Sequence, residues 1–138
     1  MAHSIIRLNG SGIESIQIDR DDTARVRFSP ALIVKSQGIA GVDPSTLWEQ
    51  RAELTIREAE VTGSATALPA FAAGGSMEAG GFKYLDMIPL PMDDVQGFAE
   101  LRVRLGDGEV VVTGQLAGVV LEGRPRYVEH ICETQPSV

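Results

Sequence analysis

His130 and Cys132 stand two residues apart, the spacing that places two side chains on one face of an extended strand. An imidazole that deprotonates a thiol is a nucleophilic pair, but it also needs a third group to orient the ring and a cleft to hold substrate. The sequence marks no third group, and a strand near the end of the chain rarely supplies a cleft. Packing or plain exposure is therefore the favoured reading. His3, the other histidine, lies in an N-terminal stretch that offers a fixed general base little support.

Asp19, Asp21 and Asp22 could offer oxygen ligands to a hard cation. Calcium loops, however, spread their carboxylates along a longer loop, with a glycine at the sharp turn and a bidentate glutamate at the end. Here Arg20 interrupts the cluster, so the reading is a solvated hairpin tip, and Asp93-Asp94 after Pro91 reads the same way. Glu49, Glu53, Glu58 and Glu100 could supply the two carboxylates of a glycoside hydrolase, which must face each other across a cleft. They alternate instead with Arg51, Arg57, Arg102 and Arg104, the pattern of cross-strand ion pairs on a wet surface. Glu58, and Asp86 beside Tyr84, stay as acid–base candidates for a small enzyme with an unfamiliar site. Gly10-Ser-Gly12 and Gly74-Gly75 do not match a phosphate loop, and no GxSxG, CxxC or HExxH pattern is present. The sequence thus assigns no catalytic residue, no metal and no cofactor.

One compositional feature points to binding. Met77, Met87 and Met92 crowd the middle of the chain together with Phe71, Phe82, Tyr84 and Phe98. Thioethers and aromatics can line a pocket for a small apolar ligand, of which Phe71, Met77, Phe82, Tyr84, Met87 and Met92 are the candidate lining. The competing expectation is that they fill irregular gaps in the core. Trp48 and Tyr127 are candidate interface anchors, because large amphipathic rings are favoured there, although Trp48 also falls in phase with Leu54 and Ile56.

The elements that must position these residues are read from composition and periodicity. A chain of 138 residues with 43% hydrophobic residues suits one domain, spanning 1–138, with 1–12 and 133–138 as candidate mobile ends. A net charge of −7 with dispersed basic residues opposes binding to nucleic acid or to an anionic membrane surface. Cys132 is the only cysteine, so no intrachain disulfide forms, and no leader pattern opens the chain. The expected location is the cytoplasm. Apolar runs such as Val110–Val112 fall far short of the ~20 residues of a spanning helix.

Strand periodicity dominates. Glu100 to Gln115 alternates around Asp107-Gly108, a pair suited to a type I′ turn that would set Leu105 opposite Val110 and Val103 opposite Val112. A loop of Arg20, Asp21 and Asp22 would set Ile18 opposite Ala24 and Ile16 opposite Val26, with Asp22 in the left-handed region. The run from Arg25 to Ser36 should bend near Ser29-Pro30, since proline cannot donate to a ladder. Asp43-Pro44 would suit a helix start, but Trp48 to Val61 alternates better as one long strand. Gly74-Gly75 and Gly80-Gly81 read as turns, and Pro89 and Pro91 as ladder breakers. Ala117–Leu121 and Tyr127–Ile131 read as two last strands separated by Gly123-Arg124-Pro125. The expected fold is an all-β antiparallel sandwich or partly open barrel of about eight strands. The expected function is a non-catalytic interaction or binding module, with itself or another protein as partner. A carrier of a small apolar ligand is the alternative.

Overall fold

The structure, a computed structural model, describes residues 2–37, 45–63, 68–106 and 108–131. They form nine strands and no helix: β1 (Ala2–Arg7), β2 (Gly12–Ile18), β3 (Ala24–Gln37), β4 (Ser45–Gly63), β5 (Ala70–Ala79), β6 (Phe82–Leu85), β7 (Met87–Leu90), β8 (Val95–Leu105) and β9 (Gly108–Ile131). All pair antiparallel in one sheet of order β2-β5-β8-β9-β4-β3-β1-β7, with β6 added to β5. A further β2–β3 pairing closes the sheet into an irregular ring. The all-β antiparallel expectation holds. No helix of the described residues is long and apolar enough to cross a membrane.

The ring departs from a regular barrel at β3. Its first half, Ala24–Phe28, pairs with β2, and its second half, from Leu32 to Gln37, pairs with β1 on the same side. The switch falls at the bulge between Phe28 and Ala31, where Pro30 was expected to disturb the ladder. Ser11 repairs the junction. Its buried hydroxyl donates to the Arg7 carbonyl at 2.5 Å and accepts from the Leu32 amide at 2.9 Å, so it ties together the last pair of the β1–β3 ladder.

The core fills the inside of the ring. Val26, Phe28, Leu54, Ile56, Leu101, Val103, Leu105 and Val112 alternate inward from β3, β4, β8 and β9 and are essentially inaccessible. Burying each such side chain stabilises the fold by about 1.5–3 kcal/mol before entropy is counted. The outward face carries ion pairs instead. Arg25 bridges Asp19 at 2.6 Å and Glu53 at 3.0 Å, and Arg27 reaches Glu122 at 3.1 Å, so one charged row crosses β3, β4 and β9. The hydrogen bond that Arg25 donates to Asp19, then the one it donates to Glu53, raises the Arg25 pKa above its ordinary value.

The β2–β3 turn matches expectation residue for residue. Ile18 pairs with Ala24 and Ile16 with Val26, Asp22 has φ 61°, and its amide donates to the Asp19 carbonyl at 3.1 Å. β4 is the single long strand that the alternation predicts, and Ala2–Arg7 is a strand tied to β3 and β7.

Four expectations are corrected. The β8–β9 strands meet at Leu105 and Gly108, so Val103 pairs with Val110 and Leu101 with Val112. Gly106, at φ 60°, takes the left-handed position that was expected further along, and Asp107 lies outside the described residues. Because the slip is two residues, every side chain keeps its face. Gly74-Gly75 is no turn: it lies inside β5, at a bulge against β8. A Cβ on Gly75 would fall 1.9 Å from the Arg102 carbonyl oxygen, so the glycine serves a close strand approach. Pro89 does not break its ladder. It pairs opposite Ile5 in the short outer strand β7, and the break falls at Asp86, φ 58°, between β6 and β7. Finally, Gly123-Arg124-Pro125 does not separate two strands. The residues between Glu122 and Arg126 bulge opposite Gln50 inside the continuous β9. The proposed helix start at Asp43-Pro44 lies outside the described residues.

Candidate functional site

Three strands build the most organised side-chain cluster outside the core. The register sets Ile33 of β3 opposite Trp48 of β4, and Trp48 opposite Tyr127 of β9; two residues along, Lys35 lies opposite Thr46. Trp48 and Tyr127 meet edge to face, with ring centroids 5.3 Å apart at 78°, a geometry that aromatic quadrupoles favour. The Lys35 Nζ sits 4.5 Å from the centroid of the indole ring. The indole N–H donates to the Thr46 hydroxyl at 2.8 Å. Trp48 is therefore fixed by a hydrogen bond, an aromatic edge and a cation, while Tyr127 stays 50% exposed. Among the described residues Lys35 makes no ion pair. Beside it opens a cleft of about 470 Å³ whose lining includes Ile33, Gln50, Leu90, Val119 and Leu121.

The same strand supplies a free edge. β9 pairs with β8 only as far as Ala117, and the Val119 amide then donates to the Met92 carbonyl at 2.8 Å. From Val120 onward β9 pairs only with β4 among the described residues. Val120, Leu121, Tyr127 and Val128 are all exposed along that half.

A second, polar cleft of about 440 Å³ lies where the ladders of β4, β8 and β9 are each irregular, beside the β2–β3 turn. Arg57, Glu58, Gln96 and Gln115 line it. Glu58 has φ 49°, and its carboxylate accepts a hydrogen bond from the Gln115 side-chain Nε2 at 2.5 Å. This acid–base candidate is solvent-exposed. Asp86, the other, is a joint of the fold: its carboxylate accepts from the Asn9 amide at 2.9 Å, and its backbone bonds to Leu8 and Gly75.

The six residues predicted to line one apolar pocket are not brought together. Met77 and Met92 are buried in the core, whereas Phe71 and Phe82 are 71% and 66% exposed. Tyr84 contacts Phe82 at a centroid distance of 6.5 Å, and Met87 is half-buried in β7. The two candidate interface rings are, by contrast, direct cross-strand neighbours. His130 lies exposed opposite Thr46, and Cys132 is outside the described residues. No group of three or more His, Cys, Asp or Glu side chains gathers as a metal site among the described residues. Sequence reasoning missed Lys35, although its alternation with Ile33 in a strand was a signal that it shares the inward face. Comparison of the chain with protein-family models, with curated proteins and with solved structures finds no match.

Proposed function

We propose that the chain is a non-catalytic interaction module that pairs with a second copy of itself along the free half of β9. The observation that carries this reading is the edge beyond Ala117, which has no strand on its outer side among the described residues and is studded with Val120, Leu121, Tyr127 and Val128. Unpaired amides and carbonyls with apolar side chains on both faces are a template for another strand. The order of residues suits a two-fold antiparallel pairing centred on Arg124. It sets Val120 opposite the partner's Val128, Leu121 opposite the partner's Tyr127, and Glu122 opposite the partner's Arg126. The bulge at Gly123–Pro125 falls at the centre, leaving both flanks to form the ladder. Size-exclusion chromatography with light scattering should give a dimer at micromolar concentration. Val128→Lys, which places a charge on the edge, should give a monomer with an unchanged circular-dichroism spectrum. A wild-type protein that stays strictly monomeric sinks the reading.

A further inference from the structure

We propose that the cleft beside Lys35 is a binding site for an amphipathic monocarboxylate, an alkyl body with a single carboxylate head. The cleft's volume of about 470 Å³ falls in the range of small-molecule sites, about 300–1,000 Å³. Ile33, Leu90, Val119 and Leu121 give it apolar walls that suit an alkyl chain. A hydrocarbon alone would leave the Lys35 ammonium desolvated without a counter-charge, which is costly. The ammonium makes no ion pair among the described residues and is steadied over the Trp48 ring. Among the described residues it is the only cation in the lining, which matches one carboxylate and leaves the second charge of a phosphate group unmet. The indole that steadies it is itself held by Thr46 and Tyr127, so the charged head is placed before ligand arrives. Ser4, Ile33, Lys35 and Leu90 of this lining lie outside β9, so Lys35→Met separates loss of this site from loss of the β9 pairing.

Trp48 is the only tryptophan and lies under the Lys35 ammonium, so its fluorescence reports on the surroundings of Lys35. Titration with sodium octanoate, at a fixed protein concentration and below micelle formation, should change Trp48 emission saturably. Native mass spectrometry should show one octanoate per chain. Octanol and octyltrimethylammonium should bind at least about tenfold more weakly, and Lys35→Met should weaken octanoate by a similar factor while leaving octanol unchanged. Ser4→Glu keeps Lys35 and sets a carboxylate beside it in the lining, away from β9; it too should weaken octanoate by about tenfold. The assignment is overturned if the wild type shows no saturable change. It is equally overturned if octanol matches octanoate, or if either folded variant binds octanoate as the wild type does.

Discussion

Met77 of β5 and Phe82 of β6 belong to one hairpin, yet the first is fully buried and the second is 66% exposed. Both looked alike in the sequence, as apolar residues suited to a pocket. The difference is set by which strand covers them: Met77 pairs with Leu101 of β8 and shares the core with it, while among the described residues β6 pairs only with β5. The two positions should therefore respond oppositely to truncation. Met77→Ala should cost about 2–5 kcal/mol in urea unfolding through lost transfer and a residual cavity. Phe82→Ala should stay within about 0.5 kcal/mol, and a large loss at Phe82 would mean that its ring is covered after all. Ser11 makes the opposite point for a polar side chain. It is buried because β3 changes neighbour beside it, and its hydroxyl ties together the last pair of the β1–β3 ladder.

At the level of elements, β9 is two strands in one. Its first half, Gly108–Ala117, is covered by β8 and β4, and the half from Val120 is covered, among the described residues, by β4 alone. Hydrogen exchange should follow that division: amides of the first half should be the slow ones, and outward amides beyond Val120 should exchange fast at low protein concentration. Protection of the second half that rises with concentration would report the β9 pairing directly, and uniform slow exchange at high dilution would contradict the free edge. The sequence makes local elements legible and non-local ones not. Alternation plus Asp22 was enough to place the β2–β3 hairpin to the residue, since a three-residue loop leaves the register no freedom. Alternation also revealed β4 and the disturbance at Pro30. The β8–β9 register was misjudged because Gly106 offers turn chemistry that competes with the Asp107-Gly108 pair, and moving the turn by one residue slips the pairing by two. Gly74-Gly75 misled because glycine serves both turns and close strand approach, and only the neighbouring strand decides between them. The Trp48–Tyr127–Lys35 cluster was half legible. Each ring was notable alone, but their contact depends on β4 pairing with β9 across a long stretch of chain.

The whole molecule is held shut at a narrow seam. β2 meets β5 through only Gly12↔Phe71 and Ile13↔Ala70, supported by backbone bonds from Gly10 to Ala72 and from Ala72 to Ser11. A Cβ on Gly12 would lie 2.5 Å from the Ser29 carbonyl oxygen, so Gly12→Ala must push β3 away from the seam. The expected cost is about 1–3 kcal/mol in urea unfolding, and a variant as stable as the wild type would show that the seam yields without strain. Away from that seam, the ladder lines up Ser4, Lys35, Thr46 and His130 across four strands. β1 therefore begins and β9 finishes on the same rim, the one that carries Lys35, while the Asp21 tip points from the other. A surface anchor or label attached through either of those strand ends would crowd the Lys35 rim, and one attached at the Asp21 tip would leave it open to solution.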